Sequence, residues 1–439
     1  MTTRILAAAI LVASAVIAWL AITFSLAARA LQAAIAISLV YVAYLALRGY
    51  QAMRDARRST AVVAITTARP WVTVVVAARN EAPVIEATVA ALAGQDYAEG
   101  GERRFDVVVV DDGSSDGTGD LARAAGTAHA DRVRVVRREP DDGPRTKGAA
   151  LQFAQRDCRG EVIGVVDADA RVAPGFVSRV MEAWSADPGA AAIQAQRRSR
   201  NLEDGWPAAA QDEELLMDMA SQCGRHATDG TAELRGNGMF VRRDVLEGLG
   251  GWHTAALTED LELSTRLVVA GERVALAPQA EVGEEAVVTL LALWRQRLRW
   301  AQGSLRRLMD LGPGLLREPR VPLGRKLDFL AFTGEFLIPP LFAASIVAGL
   351  VTIPLPRPAD WTVPVSLFVG YGLGTFLLAL AGLAAQGSRG AELLGRATRG
   401  SLFLSHWLLV VPAALLQIAI GHSATTFVQT PRTGHRPPR

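Results

Sequence analysis

The sequence predicts an α/β domain with a largely parallel sheet, set between apolar segments long enough to cross a bilayer. Three observations carry this. From Trp71 to about Gly283, short β-branched runs alternate with Ala-rich helical stretches, the pattern of a parallel sheet. Several runs stop abruptly in polar residues, at Arg79-Asn80-Glu81, Asp111-Asp112 and Asp167-Ala168-Asp169. Hydrophobic residues make up 50% of the 439, and they are segregated along the chain from the charged 21%.

Ile5–Ala27 and Ala30–Leu47 are each about long enough to span as a helix. A secretory leader is the rival reading of the first, because Ala28-Arg29-Ala30 resembles a cleavage site. Its length, and the second apolar stretch directly behind it, favour a membrane anchor. Arg48, Arg54, Arg57 and Arg58 follow, which puts the next domain, and the N-terminus, on the cytosolic side. We therefore read 1–58 as two transmembrane helices and, after a linker, 70–284 as the α/β domain. Its expected strands are Val72–Ala78, Phe105–Asp111, Val133–Arg137, Val162–Asp167 and Ala190–Ala195, with helices such as Val84–Leu92 and Lys147–Gln155 between them.

Residues 285–312 form a basic amphipathic helix. Val287, Leu290, Leu291, Trp294, Leu298, Ala301, Leu305 and Leu308 make its stripe, accompanied by Arg295, Arg297, Arg299, Arg306 and Arg307. Such a helix lies in an anionic interface or packs on the soluble domain. The region 326–421 holds Leu327–Val351, kinked at Pro339-Pro340, then Val363–Ala385 and Ser401–Gly421. Arg389, Arg396 and Arg399 argue for a cytosolic loop between the last two. A basic, Pro-rich tail occupies 422–439.

With 46 basic against 44 acidic residues, the net charge of +2 carries no nucleic-acid signature. Cys158 and Cys223 make neither a disulfide framework nor a metal cluster; both read as small buried residues in a reducing compartment. No Ser/His/Asp or Cys/His arrangement suggests a covalent nucleophile.

The chemistry gathers at strand ends. Asp167 and Asp169 are two apart, so a strand end points both one way, and two hard oxygens suit a divalent cation carrying a diphosphate. A polar turn is the plainer reading. Asn80 and Glu81 either hold a base and ribose or make a polar turn. Asp111 or Asp112 can accept from a pyrimidine N–H; Gly113 and Gly117 allow tight turns, and Ser114 or Ser115 can cap the next helix. Lys147 opens a helix, where the dipole disfavours a cation unless an anion sits between them. The alternative is a solvated surface lysine. Thr258-Glu259-Asp260 reads as a helix cap with acids in the first turn, or as a segment presenting Asp260 as general base. Gln296, Arg299 and Trp300 share a helix face: Arg299 can pair with a departing phosphate and Trp300 can stack on a sugar or anchor the helix in the membrane.

Taken in order, DDGSSDGT, Lys-Gly, DAD, TED and QRLRW resemble the family 2 inverting glycosyltransferases of the GT-A fold, above all the membrane-embedded cellulose, hyaluronan and poly-N-acetylglucosamine synthases. The resemblance runs from about Trp71 to Trp300. It implies that Asn80, Glu81, Asp111 and Asp112 surround the nucleotide, that Lys147 contacts the diphosphate, and that Asp167 and Asp169 engage nucleotide and Mg2+ or Mn2+. It implies that Asp260, beside Glu259 in the catalytic segment, deprotonates the acceptor, and that Gln296, Arg299 and Trp300 close over diphosphate and acceptor. Gln194, Arg197 and Gly236-Asn237-Gly238 are similar to acceptor-side segments. Phe427–Gly434, FVQTPRTG, resembles the gating loop of cellulose synthases at Phe427 and Thr430, with Arg432 in place of a Lys, Gln429 in place of a Val and Thr433 an extra residue before the Gly. A cytosolic gating loop requires Ser401–Gly421 to lie in the interface, leaving four full crossings.

The implied function is transfer of a sugar from a nucleotide sugar, UDP-linked, to a polysaccharide or lipid hydroxyl with a β-linkage. The enzyme would be multi-pass in the plasma (inner) membrane, with a cytosolic catalytic domain. Its partners would be nucleotide sugar, acceptor, membrane lipids and an accessory export subunit, with no nucleic acid. The alternatives are a non-processive ceramide- or polyprenyl-type glycolipid transferase and an inactive transport or scaffold protein.

Overall fold

Residues 2–58, 69–139, 141–355 and 359–422 are described in the computed structural model. The strands are β1 (Val72–Ala78), β2 (Ala98–Glu99), β3 (Glu102–Arg103), β4 (Phe105–Asp111), β5 (Val133–Arg137), β6 (Val162–Asp167), β7 (Arg171–Val172), β8 (Ala192–Ser199), β9 (Met239–Arg242) and β10 (Val274–Glu284). The helices are α1 (Thr2–Thr23), α2 (Ser25–Arg58), α3 (Ile85–Ala93), α4 (Thr118–Thr127), α5 (Lys147–Ala154), α6 (Phe176–Ser185), α7 (Trp206–Ala227), α8 (Arg243–Gly248), α9 (Glu259–Val269), α10 (Leu290–Arg317), α11 (Leu323–Gly334), α12 (Ile338–Thr352), α13 (Thr362–Ala385), α14 (Gly390–Leu404) and α15 (Trp407–Ile420). The chain divides into two units: one comprises the described parts of Met1–Ala52, Gly205–Thr231 and Val288–Thr425, the other Met53–Asp204 and Ala232–Val287. Gly205–Thr231, which contains α7, thus counts with the helical unit although it lies inside the expected 70–284 stretch.

The second unit is built on an eight-stranded sheet in the order β5-β4-β1-β6-β9-β8-β10-β7, with β2 and β3 forming a separate hairpin. β1 pairs in parallel with β4 and β6, β4 with β5, and β8 with β10; β9 runs antiparallel between β6 and β8. Alternate residues of each strand enter opposite cores. Val74, Val76, Val107 and Val109 pack with Ile85, Val89 and Leu92 of α3 and Phe176, Val180 and Trp184 of α6. Val75, Val108, Val110, Ile163 and Val165 pack with Leu151 of α5, Leu246 of α8 and Leu263 and Leu267 of α9. Both faces are covered, which is why these strands read as unbroken apolar runs rather than alternating ones. Each buried Leu or Phe contributes about 1.5–3 kcal/mol of transfer free energy. The first four expected strands are observed with the expected limits; the fifth begins two residues later, at Ala192, and continues to Ser199.

Register sets the functional edge. Ala78 of β1 pairs with Asp111 of β4, Ala77 with Asp167 of β6, and Asp111 with Arg137 of β5. The carboxyl ends of four parallel strands therefore align. The chain leaves β1 for β4 and β5 on one side, then returns as β6 on the other, so the reversal of strand order falls between β1 and β6, where open α/β sheets bind ligands.

In the helical unit, Thr2–Thr23, Ser25–Arg58, Leu323–Thr352, Thr362–Ala385 and Gly390–Ile420 are long and apolar enough to cross a membrane. α2 and α7 approach closely at two glycines: a Cβ on Gly49 would strike the Ala220 carbonyl, and one on Gly224 the Leu45 carbonyl. The expected kink inside Leu327–Val351 is instead a break between α11 and α12. Pro339 and Pro340 occupy the first turn of α12, where a missing N–H removes no helical bond. The last apolar stretch is likewise two helices, α14 and α15, separated at Ser405 and His406.

α10 uses half of its stripe for packing. Ala301, Leu305 and Met309 are buried against Val411, Leu415 and Ile418 of α15 and Ala7 of α1, whereas Leu290, Leu291 and Trp294 remain exposed. Its arginines do not form one solvated row. Arg297 and Arg307 are buried, and Arg297 pairs with Glu214 of α7 while stacking on Trp300 and Trp407. Arg396 and Arg399 of α14 pair with the fully buried Glu213 of α7. These two cations, read from the sequence as topology markers, thus have structural partners. The gating-loop-like residues Phe427, Thr430 and Arg432 lie outside the described residues.

Candidate active site

Two loops at the carboxyl edge are stitched together. Asn80 follows β1 in the left-handed region (φ 54°). Its N–H donates to Ser114 Oγ at 3.0 Å, and its Oδ1 accepts from the Ser115 N–H at 3.0 Å. Next to it, the Glu81 N–H donates to Thr118 Oγ1 (2.8 Å) and the Ala82 N–H to Asp116 Oδ2 (3.1 Å). Burial alone would raise the pKa of Asp116, but the hydrogen bonds from Thr118 and Ala82 outweigh it and hold the carboxyl below its ordinary value. The serines of DDGSSDGT therefore fasten this loop to β1. Neither caps α4, whose N-cap is Gly117.

The paired acids have different duties. Asp111 is wholly buried; its Oδ1 accepts from the Ser114 N–H and its Oδ2 from Arg137. Asp112 Oδ1 accepts from Arg138, a guanidinium only 2% exposed. Arg137 and Arg138 escaped the motif reading. Their signal was positional, since β5 ends in two cations where its neighbour β4 ends in two acids.

Four sequence-predicted residues meet in one cluster. Lys147, the first residue of α5, places Nζ 2.6 Å from Asp167 Oδ1 and 3.4 Å from Glu259 Oε1. Burial pulls its pKa down, but the charges of Asp167, Glu259 and Asp260 prevail and raise it. Thr146 caps the helix, accepting from the Ala149 N–H at 3.1 Å. On the facing segment, Thr258 is the N-cap of α9 but makes no side-chain capping bond, which leaves the acids after it less explained by capping. Burial pushes Glu259 up to about 7, against the opposing pull of Lys147. Asp260 is raised too, by burial, although the Leu261 N–H, Lys147, Arg235 and Arg197 all favour its charged form. A partly buried carboxylate with an elevated pKa beside a sheet edge is suited to proton acceptance.

The Gly236-Asn237-Gly238 turn closes around this cluster. Asn237 Oδ1 accepts from the Asp167 N–H (3.1 Å), and Asn237 Nδ2 donates to Glu284 Oε2 (3.2 Å), a carboxylate also held by both arms of Arg197. Gln194 donates to the Asn237 carbonyl and accepts from the Arg235 N–H, so these looser motif matches are the turn's scaffold. Gly236 has φ +77°, and a Cβ there would lie 3.1 Å from Asp260 Oδ2. Asp169 is buried, and its Oδ2 accepts from the Glu285 N–H at 3.1 Å.

Among the described residues no group of three His, Cys, Asp or Glu side chains is placed to hold a metal. Asp167 and Asp169 supply two hard oxygen donors, the donor set that suits an ion completing its shell with phosphate and water. Gln296, Arg299 and Trp300 belong to α10 of the helical unit. Cys158 and Cys223 are both buried free thiols, and burial pushes Cys158 up to about 12.

A mostly parallel sheet with acids and a lysine gathered on its carboxyl edge is the build of a GT-A glycosyltransferase. The chain belongs to glycosyltransferase family 2: the family model described as "Glycosyltransferase like family 2" matches residues 69–303. It is 31% identical over 375 residues to a beta-monoglucosyldiacylglycerol synthase of Synechocystis, covering 84% of this chain and 76% of that one. A poly-beta-1,6-N-acetyl-D-glucosamine synthase of Staphylococcus aureus is 26% identical over 257 residues, 57% of this chain and 59% of the other. The fold is shared with a mannosyltransferase of Pyrobaculum calidifontis solved with GDP-Man and Mn2+ (TM-score 0.57, 24% identity, 88% of this chain and 99% of that one).

Proposed function

We propose that this glycosyltransferase moves a single hexose from a nucleoside-diphosphate sugar to the hydroxyl of a diacylglycerol-like lipid, inverting to a β-linkage. The observation that carries the chemistry is the convergence of Asp260, Glu259, Lys147 and Asp167 on one strand edge. In the reaction the acceptor oxygen bonds to the anomeric carbon and its proton passes to Asp260. The bond from that carbon to the diphosphate breaks, and the nucleoside diphosphate departs with the electron pair. Lys147 stands ready to neutralise that leaving group. Asp112 is favoured over Asp111 for the base contact, since both oxygens of Asp111 are already engaged within the protein. Asp167 and Asp169 would hold Mg2+ or Mn2+, which when bound supplies positive charge to the diphosphate. The arginines following the second apolar stretch support a cytosolic catalytic unit at the inner membrane.

A lipid acceptor is favoured because the similarity to the glucosyldiacylglycerol synthase extends well beyond residues 69–303. The second reading, polysaccharide synthesis, draws on the QRLRW segment and on the similarity to the staphylococcal synthase. Vesicles holding the full-length protein and diacylglycerol, given radiolabelled UDP-glucose, test the choice. Label should appear in the lipid extract as one hexose per lipid; label at polymer size would select the second reading. Asp260→Asn should abolish transfer while sparing UDP binding, and full activity in that variant would defeat the assignment of the base.

A further inference from the structure

We infer that Lys147 is a cation placeholder: its ammonium holds the divalent ion's position on Asp167 until the donor diphosphate draws it away, so that ion and nucleotide load together. This rests on the site reading above. Lys147 sits at the first residue of α5, where the helix dipole opposes a positive charge and the N-terminus invites an anion. The ammonium is satisfied by acids, at 2.6 Å from Asp167 Oδ1 and 3.4 Å from Glu259 Oε1. Asp167 is also, with Asp169, a proposed ion ligand, and among the described residues no group of three acids is placed to hold a metal. A dication approaching the protein alone would meet a fixed ammonium on one of its two acids and would lack the phosphate oxygens that complete its shell. A diphosphate reverses both conditions. It offers Lys147 an anion at the helix N-terminus, frees Asp167, and brings its own oxygens to the ion.

Lys147 is thus a positioning residue for ion loading as well as a phosphate contact, and Mn2+ binding separates the two roles without any turnover. Mn2+ alone is titrated into the full-length protein in lipid nanodiscs, with free Mn2+ read by electron paramagnetic resonance, and the titration is repeated with saturating UDP. Wild type should bind Mn2+ at least tenfold tighter with UDP than without. Lys147→Met should bind Mn2+ alone at least tenfold tighter than wild type, while Lys147→Arg, which keeps the charge, should stay weak. Equal wild-type affinity with and without UDP overturns the proposal, and so does a Lys147→Met protein no tighter than wild type. If Lys147→Met does not fold, Lys147→Gln takes its place. Asp167→Asn and Asp169→Asn distinguish the levels of failure. Unchanged Mn2+ binding in both with UDP would overturn the ion site and the placeholder with it; loss in both, without tightening in Lys147→Met, would overturn the placeholder alone.

Discussion

Arg138 donates to Asp112 across the ends of two adjacent strands, and its other arm donates to the carbonyl oxygens of Asp142 and Pro144. The guanidinium is almost sealed from water. It fixes the carboxylate proposed to meet the nucleobase, and it closes the loop after β5 over that carboxylate.

Removing one partner of such a pair leaves a buried charge without compensation, which costs about 3–5 kcal/mol. Arg138→Met should lose stability on that scale in urea unfolding, and UDP affinity should fall about tenfold. Replacing both partners, as Arg138→Met with Asp112→Leu, should restore much of the stability but none of the UDP binding. A single variant within about 1 kcal/mol of wild type would count against the pair.

The buried acids make a pH prediction with a definite sign. Glu259 has its pKa raised to about 7, from an unfolded value near 4.5. Between those values the native state binds more protons than the unfolded chain, so this residue's contribution to stability falls as pH rises from about 4.5 to 7 and levels off above. Glu259→Gln should flatten that slope in unfolding curves recorded from pH 5 to 8; a parallel slope in the variant would argue that Glu259 ionises freely in the fold. Activity carries the opposite sign. Asp260 must be ionised to accept a proton, and its pKa is raised, so the acid limb of kcat/KM should lie above the usual carboxylate range.

Gly236 is constrained twice, by its left-handed backbone and by Asp260 at 3.1 Å from any Cβ. Gly236→Ala should cost about 1–2 kcal/mol for the backbone alone and lower kcat by displacing Asp260. Gly248→Ala, where a Cβ meets nothing within 4 Å, should leave activity unchanged. Steady-state kinetics and thermal unfolding of the two variants side by side provide the check.

Much of the catalytic unit was legible because buried parallel strands announce themselves. Val107–Val110 and Val162–Val166 are apolar throughout, and an acid placed where such a run stops stands out. Less was legible where one residue serves two ends. Ser114 and Ser115 look like helix caps, yet Ser114 accepts from Asn80 and the Ser115 N–H donates to it, contacts between segments more than thirty positions apart. α7 was harder still. Its Glu213 is wholly buried against Arg396 and Arg399, more than 180 residues away, and Glu214 pairs with Arg297, 83 residues on.

By itself, then, the sequence determined the class of the sheet, the positions at which acids interrupt its strands, and the apolar lengths able to cross a bilayer, because each of these is written in local periodicity and composition. Only tertiary structure decided which acids are tied into loop hydrogen bonds and which gather around Lys147. Asp111 and Asp116 are consumed by loop hydrogen bonds, whereas Asp167, Glu259 and Asp260 share a single lysine. That division depends on strand register and on the crossing of chain segments far apart in sequence, which set the distance between charges and their access to water, and no local pattern encodes either.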